Sequence, residues 1–243
     1  MDRHHCNCSA CDLAGVDNSE VGQTATVIEL LERKRGGFFI DLAAHQPIVG
    51  SNTRALERDL GWRGVCIDAN PYYASWLRHE RSCAVEEAVV SDRETQVEFQ
   101  DGKGQGKIVK QSTSRSMSQR RQWEQRAAIK LPHGPRLARS VPFSNLLLQH
   151  RAPAQIDYLS LDVEGAEHLV MKTFPWHLHN ISVLTVERPL PALRNKLAQN
   201  GYFYACNHGL FGDELWLHGS LMAQQILDGV NQWIKSQLFV KLS

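Results

Sequence analysis

The chain lacks any apolar run long enough to cross a membrane as a helix, which argues against a transmembrane segment. Its first residues, M-D-R-H-H-C-N-C-S-A-C, lack the apolar core of a secretory signal peptide. Net charge is also small, because 27 basic and 26 acidic residues leave +1 at pH 7. Without a strong overall field, binding to nucleic acid or to a membrane surface is not indicated. We therefore expect a soluble intracellular protein, located in the cytoplasm.

Cysteine is sparse, with six residues in a chain of 243. Cys66, Cys83 and Cys206 lie in or near predicted strands, where a free cysteine commonly packs as a small hydrophobic residue. The other cysteines cluster with two histidines near the N-terminus, and thiolate with imidazole suits zinc. However, no second ligand pair with zinc spacing follows nearby. We therefore predict no metal cofactor, and we expect the polar residues 1–22 to form a disordered tail.

The length of the chain is enough for one α/β domain with a sizeable core. Short apolar runs, typical of strands buried on both faces, end in acidic residues, namely Asp41, Asp68, Asp162 and Glu187. Because open α/β sheets bind ligands at the carboxyl ends of their parallel strands, these acids indicate one binding edge. An acid after the second strand commonly hydrogen-bonds a ribose, so we expect a nucleotide-type cofactor.

A set of ordered motifs supports a more specific interpretation. The chain contains, in this order, F-F-I-D-L-A-A-H, S-N-T-R-A-L-E-R-D-L-G-W-R-G-V-C-I-D-A-N-P, I-D-Y-L-S-L-D-V-E-G-A-E, T-V-E-R-P, N-G-Y and G-D-E-L-W-L-H. Together, over about residues 25–218, they closely resemble the FkbM-type S-adenosylmethionine-dependent methyltransferases. The resemblance implies an α/β, Rossmann-like methyltransferase fold over residues 23–243, with a mostly parallel seven-stranded sheet and a C-terminal antiparallel hairpin. It also implies that S-adenosylmethionine binds over the first two strands.

The resemblance and the strand ends together identify the expected cofactor contacts. Asp41 and Asp68 are expected to hold the ribose and the amino group of the methionine portion. Further contacts are expected from the first loop and from the turns after the second and third strands. These additional predicted cofactor residues are Ala43, Ser51, Asn52, Asn70, Ser91 and Asp92. Ser91 and Asp92 follow the predicted third strand, Ala84–Val90, at the corner that faces the adenine in this fold class.

The first loop departs from the family pattern. Many FkbM relatives have D-x-G-A-x-x-G at the end of the first strand, whereas this chain has Ala43-Ala44-His45-Gln46-Pro47. Alanine is excluded from some backbone angles that glycine adopts. We therefore expect the turn to follow another path, or the affinity for the cofactor to be low.

Three residues are candidates for the chemistry of methyl transfer. Positioning supplies much of the rate, and a base that removes the acceptor proton adds a further factor. Asp162 ranks first as that base, because its strand end should lie opposite the transferring methyl group. Glu164 ranks second, as a group that orients the acceptor or binds a divalent ion. His45 ranks third, because an imidazole titrates near neutrality.

Two segments stand apart from the domain pattern. Residues 101–140 carry ten basic residues against two acids. We interpret them as a mobile, solvated insertion, with a basic lid over an acidic acceptor, or an RNA or phosphate contact, as the alternative. Trp123 is their only aromatic residue, so the stacking expected of an RNA site is scarce. Residues 220–243 have the pattern of an amphipathic helix, which docks on its own domain or forms a homodimer contact.

The sequence thus predicts a methyltransferase that uses S-adenosylmethionine and acts on an oxygen of a sugar or another hydroxylated small molecule. The main alternative is a non-catalytic, Rossmann-like binding module that has lost turnover. The loop at Ala43–Ala44 favours that alternative, and the acids at successive strand ends oppose it. A nicotinamide oxidoreductase is a weaker alternative, because the chain lacks G-x-G-x-x-G.

Overall fold

The computed structural model describes residues 19, 21–101, 106–111, 135–208 and 212–224. The helices that lie wholly within these residues are α1 (Gln23–Leu30), α2 (Arg54–Leu60), α3 (Pro71–Glu80), α4 (Phe143–Gln149), α5 (Glu167–Lys172) and α6 (Pro191–Gln199). The strands are β1 (Phe38–Leu42), β2 (Arg63–Asp68), β3 (Ala84–Glu87), β4 (Val89–Ser91), β5 (Thr95–Asp101), β6 (Gly106–Gln111), β7 (Pro135–Pro142), β8 (Gln155–Leu161), β9 (Asn180–Glu187), β10 (Tyr202–His208) and β11 (Asp213–His218).

Seven strands form the main sheet, in the spatial order β10-β11-β9-β8-β1-β2-β3. The strands from β9 to β3 run parallel to one another, and β11 lies antiparallel between β9 and β10. β10 and β11 therefore form a final hairpin at one edge. This confirms the predicted Rossmann-like architecture, a mostly parallel seven-stranded sheet with a C-terminal antiparallel hairpin.

The strand order reverses at the centre of the main sheet. From β1 the chain moves outward through β2 to β3, and it later returns to β8 on the other side of β1. Such a topological switch point leaves a crevice outside the carboxyl ends of the strands, where open α/β sheets bind ligands. The acids at or just after the ends of β1, β2, β8 and β9 lie along this edge, and they are Asp41, Asp68, Asp162 and Glu187.

Helices pack on both faces of the sheet, so its central strands are buried. Every residue of β1 is buried, and successive side chains point to opposite faces, as in any strand. Ile40 and Leu42 pack in one core, and Phe39 packs in the other with Val27 of α1. Asp41, two residues after Phe39, shares its face and therefore points toward the α1 side of the sheet.

A second sheet of four strands, in the order β4-β7-β5-β6, is inserted between β3 and β8 in the chain. The predicted strand Ala84–Val90 is therefore divided, since β3 belongs to the main sheet and β4 to the second. The prediction of a mobile, solvated insertion over residues 101–140 is wrong for β6 and β7, which both pair with β5. Val97 and Phe99 of β5 pack with Ala138 of β7 in a small hydrophobic core. The basic composition of the segment gives no indication of this core. The rest of the insertion lies outside the described residues.

The N-terminal segment is described only in part. Ser19 forms an isolated parallel bridge with Gly50, and its hydroxyl oxygen accepts the Thr24 N–H at 3.3 Å. The expected disorder of residues 1–22 is therefore wrong at its C-terminal end, and residues 1–18 and 20 lie outside the described ones.

The C-terminal segment is also described in part. Residues 219–224 are helical, and the remainder of the predicted helix 220–243, with its homodimer contact, lies beyond the described residues. Cys206 is disulfide-bonded, contrary to the expectation of a free thiol in the core. Within the described ranges, no helix is long and apolar enough to cross a membrane.

Candidate active site

The central crevice opens where β1 and β8 end. The Asp162 N–H donates to the Leu42 carbonyl oxygen at 3.4 Å, which joins the first residue after β8 to the last residue of β1. One loop, residues 43–53, follows β1, and another, residues 162–166, follows β8. Both loops therefore start at the switch point, where the fold is expected to bind its ligand.

The turn after β1 is held by hydrogen bonds to β2. The N–H groups of Ala43 and Ala44 donate to the Ile67 carbonyl oxygen at 2.9 and 3.1 Å. Ala43 has φ +61° and His45 has φ +50°, which are left-handed angles that glycine adopts more readily. Ala43 thus takes a glycine-type angle at the position of the family's glycine, and the expected low affinity for the cofactor stays a prediction. A residue held in this conformation costs on the order of 1–3 kcal/mol.

Asp68 ties this turn to the loop that follows β2. Its Oδ2 accepts the His45 N–H at 2.8 Å, and its Oδ1 accepts the Asn70 N–H at 2.7 Å. Asn70 caps α3, because its Oδ1 accepts the Tyr72 N–H at 2.9 Å. The structure thus brings the predicted cofactor residues Asp68 and Asn70 together.

Asp41 lies behind the first loop in a buried polar network. Its Oδ2 accepts the Thr53 hydroxyl at 2.7 Å, and the oxygen of that hydroxyl accepts a hydrogen bond from Arg81 at 3.0 Å. The Arg81 guanidinium also donates to Ser51 Oγ at 3.0 Å and forms an ion pair with Glu57 at 2.6 Å. Burial raises the pKa of Asp41, and the Thr53 hydrogen bond and the Arg81 charge oppose that shift. Asp41 and Ser51 therefore support the loop from inside the protein.

Asn52 joins the first loop to two other elements. Its Nδ2 donates to Ser160 Oγ of β8 at 3.0 Å, and its carbonyl oxygen accepts the Thr24 hydroxyl of α1 at 2.9 Å. Its side-chain Oδ1 is buried and has no hydrogen-bond partner among the described residues. A buried acceptor without a partner is unfavourable. This atom therefore suits an N–H donor of a bound ligand.

Three carboxylates crowd the β8 side of the crevice. Asp162, Glu164 and Glu187 each place one oxygen within 4.8 Å of the others. Desolvation and the neighbouring carboxyls, Glu187 first among them, raise the pKa of Asp162 to about 9. Asp162 is exposed, so the closeness of Glu164 and Glu187 is the better-supported cause of this shift. Carboxyls this close repel each other when both are ionised, so their titrations are linked.

The corner after β8 positions Glu164 beside this cluster. Glu164 and Gly165 have φ +54° and +94°, so the chain turns this corner through left-handed backbone angles. The buried Glu167 Oε1 accepts backbone N–H groups of the corner, including that of Gly165 at 2.9 Å. The third acid of D-V-E-G-A-E therefore has a structural role. Arg188, which follows β9, donates to Glu164 at 3.4 Å and to Glu187, and it offsets their negative charge.

Comparison with known protein families agrees with this geometry. The family model of the methyltransferase FkbM domain matches residues 41–209, from β1 to the residue after β10. The chain belongs to the FkbM methyltransferase family. The match includes both loops at the switch point and all three crowded carboxylates. No curated protein and no solved structure was found that matches the chain.

The FkbM domain also presents oxygen ligands that suit a cation. Asp162, Glu164 and Glu187 are close enough to bind one divalent ion, and hard cations prefer carboxylate ligands. The contacts of Arg188 with Glu164 and Glu187 also offset the charge of the cluster without a metal ion. The prediction that the domain uses no metal therefore stays a prediction.

His45, the third predicted catalytic residue of the FkbM domain, lies on the β2 side of the crevice. Its ring packs edge-to-face on Tyr73 of α3, with the centroids 4.1 Å apart. Asp162 lies at the end of β8, on the other side of β1. The structure thus groups Asp162 with Glu164 and places His45 with the predicted cofactor residue Asp68.

Ser91 and Asp92, the last of the predicted cofactor residues, lie at the end of β4 in the second sheet. Ser91 is fully buried, and its carbonyl oxygen accepts the Thr173 hydroxyl at 3.5 Å. Hydrogen-bonded ion pairs of Asp92 with Arg93 at 3.0 Å and Lys172 at 2.8 Å lower its pKa. Through these contacts, Ser91 and Asp92 are bound to the end of α5 and to the residue that follows it.

Several residues that build the FkbM site were missed by sequence reasoning. Arg81 and Glu57 form the ion pair behind the first loop, and Arg136 of β7 donates to the Ala69 carbonyl oxygen next to Asp68. Each of these bonds joins residues that are far apart in the chain, so no local motif marks them. Only the fold brings the partners together.

Proposed function

We propose that this FkbM protein transfers a methyl group from S-adenosylmethionine to an oxygen of a hydroxylated small molecule, such as a sugar. The proposal rests on two features at one switch point, the turn held by Asp68 and the closely spaced carboxyl groups of Asp162 and Glu187. The turn suits the nucleoside part of a cofactor. The pair suits removal of a proton from a hydroxyl group.

The cofactor side of the site contains groups that fit S-adenosylmethionine. When bound, this cofactor supplies an electrophilic methyl group on a sulfonium. Asp68, whose carboxylate accepts the N–H groups of His45 and Asn70, lies at the end of β2, where an acid commonly hydrogen-bonds a ribose. Asn52 Oδ1, the buried acceptor, suits the ammonium group of the methionine portion. Charge and hydrogen bonding would thus hold the cofactor at both of its polar ends.

The acceptor side of the site contains the base. We expect the crowded pair of Asp162 and Glu187 to share one proton at neutral pH, which leaves one negative charge on the pair. Asp162 is exposed and Glu187 is buried, so an acceptor reaches that charge through Asp162. A hydroxyl group that donates to the ionised carboxylate is oriented by it and gives up its proton as the new bond to carbon forms. Much of the remaining rate comes from positioning. Arg188 limits the repulsion within the cluster through Glu164 and Glu187.

Titration calorimetry of the purified protein with S-adenosylmethionine, S-adenosylhomocysteine and NAD tests the cofactor assignment. We expect binding of the first two and no binding of NAD, and NAD binding alone would contradict the proposal. A panel of hydroxylated metabolites, assayed for release of S-adenosylhomocysteine, then tests the acceptor class. Cofactor binding without release from any such acceptor would instead favour a non-catalytic binding module.

A further inference from the structure

Two free thiols lie close together near the first loop, residues 43–53. Cys66 of β2 is fully buried, Cys83 just before β3 is partly exposed, and their Sγ atoms are 3.3 Å apart. The proposed methyl transfer uses neither thiol. In a disulfide the two sulfurs are about 2.05 Å apart. The pair would therefore need to close by only about 1.2 Å to form that bond.

The surroundings of the pair favour its oxidation. The Arg81 guanidinium is close enough to interact electrostatically with both thiols, and a neighbouring cation stabilises the reactive thiolate. The hydrogen bond from Cys83 and burial raise the pKa of the Cys66 thiol. Cys83, the more exposed sulfur, is therefore the one that an oxidant meets first, and Cys66 lies in place to complete the bond.

Closing the bond would move the chain around Cys83. In the parallel register of β2 and β3, Cys66 pairs with Val85, so Cys83 lies two residues before the position opposite Cys66. The two side chains reach each other diagonally across the strands. Drawing the sulfurs together therefore pulls the segment 81–83 toward β2.

That segment is linked to the first loop by hydrogen bonds. The Cys83 N–H donates to Glu57 Oε1 at 3.1 Å, and the other oxygen of Glu57 accepts from Arg81 at 2.6 Å. Arg81 in turn donates to the hydroxyl oxygens of Ser51 and Thr53, at 3.0 Å each. A displacement at Cys83 is therefore passed to the loop through two side chains.

We propose that Cys66 and Cys83 are a modification site, at which a peroxide forms a reversible disulfide that weakens ligand binding at the first loop. The Cys83 thiolate attacks one peroxide oxygen and becomes a sulfenic acid, and the other oxygen leaves as water after taking up a proton. The Cys66 sulfur then attacks the Cys83 sulfur and displaces a second water. Two thiols and one peroxide thus give one disulfide and two waters, and a dithiol reductant reverses the step. The effect on ligand binding rests on the proposed function, which assigns this loop to the cofactor.

The test uses the purified full-length chain, reduced, then treated with hydrogen peroxide, and finally reduced again with dithiothreitol. Peptide mass mapping after alkylation should find a peptide pair joined through Cys66 and Cys83, with the loss of two hydrogens. Calorimetry with S-adenosylhomocysteine should show affinity lower by a factor of about 5–150 in the oxidised protein, the usual size of coupling between two sites. The affinity should return after reduction.

Cys83→Ser is the matched control, because it removes one sulfur and leaves Cys206 and the N-terminal cysteines in place. Its affinity should not respond to peroxide, and a response equal to that of the wild type would overturn the assignment. Absence of the joined peptide in oxidised wild type would overturn the modification site. A joined peptide with unchanged affinity would overturn the coupling. If the reduced wild type binds no S-adenosylhomocysteine, the proposed function fails, and peptide mapping still decides the modification site.

Discussion

Asp162 and Glu187, at the ends of two adjacent parallel strands, each place a carboxyl oxygen within 4.8 Å of the other. The register of β8 and β9 produces this contact, because it pairs Leu161 with Val186, the residues directly before the two acids. The pair, and not one residue, is therefore the unit that accepts or releases a proton.

Asp162→Asn should lower methyl transfer by roughly 10²–10⁴-fold, the usual size of a general-base contribution. The amide preserves the shape of the side chain, so affinity for S-adenosylhomocysteine should change little. Initial rates at saturating cofactor and acceptor, beside calorimetry, would measure both effects. Wild-type turnover in a folded Asn variant would rule out the catalytic assignment.

The same variant separates a base from a metal ligand. A metal ligand gives a deficit that shrinks at high divalent-ion concentration, and wild-type activity that a chelator abolishes. A base gives a deficit that neither treatment changes. We expect the second pattern, so EDTA should leave wild-type turnover intact.

The stability of the protein should also depend on Asp162 in a defined pH window. Its pKa is raised in the folded state, so its contribution to the free energy of unfolding is full below 3.8 and is lost as the pH rises to about 9. Asp162→Asn cannot ionise, so it should melt above the wild type by a margin that grows across this window. Asp92→Asn is the control variant, for which we expect the opposite effect on the free energy of unfolding. Its carboxylate has a lowered pKa, so that variant should lose stability above the ordinary carboxyl range.

Asp68→Ala should weaken binding of S-adenosylhomocysteine about tenfold or more, because charged hydrogen bonds contribute about 1.5–3 kcal/mol. Calorimetry would measure the loss. Since Asp68 also accepts the N–H groups of His45 and Asn70, a melting curve has to accompany the titration. Unchanged affinity in a folded variant would remove Asp68 from the cofactor site.

Arg81→Met should destabilise the protein by about 3–5 kcal/mol, the usual cost of removing one partner from a buried ion pair. The Arg81 side chain is only 1 % exposed, so solvent screens this pair very little. The double variant Arg81→Met/Glu57→Gln should recover part of the loss, because no isolated charge remains at Glu57. Urea unfolding would measure both variants. Equal stability of Arg81→Met and wild type would show that the network does not support the loop.

Ala43→Gly should stabilise the protein by up to about 1 kcal/mol, because glycine adopts a positive φ without strain. Ala44→Gly is the matched control. Ala44 does not have a positive φ and is buried, so its replacement should lower the stability by about 0.5–1 kcal/mol or more. Chemical unfolding of both variants would measure the difference. A loss of stability in Ala43→Gly equal to that of Ala44→Gly would contradict the strained turn.

The main sheet could be predicted from the sequence because each of its central strands is a short apolar run that ends in an acid. The prediction failed at Ala88–Val90, which the sequence pattern assigns to the end of a single strand, Ala84–Val90. There β4 leaves the main sheet and pairs with β7, whose residues lie far along the chain. A pairing partner at that distance leaves no local periodicity to detect.

The residues of the candidate site could likewise be predicted from the sequence only in part. Asp162 and Glu164 stand out because they follow a buried strand and precede a glycine. The closeness of Glu187 to Asp162 could not be predicted from the sequence, because it depends on the register of two strands. Arg81 ends an ordinary surface helix, and its burial is a consequence of tertiary packing alone.

The bond from Arg136 to the Ala69 carbonyl oxygen has a practical consequence for protein engineering. Arg136 lies on β7, whose ladder with β5 fixes its place in the second sheet. An exchange of segments between related proteins that replaces the whole insertion would therefore also remove a support of the loop that follows β2. Grafting restricted to the connection between β6 and β7 keeps that ladder. Such a graft would leave Arg136 and the loop that carries Asp68 and Asn70 as they are in this chain.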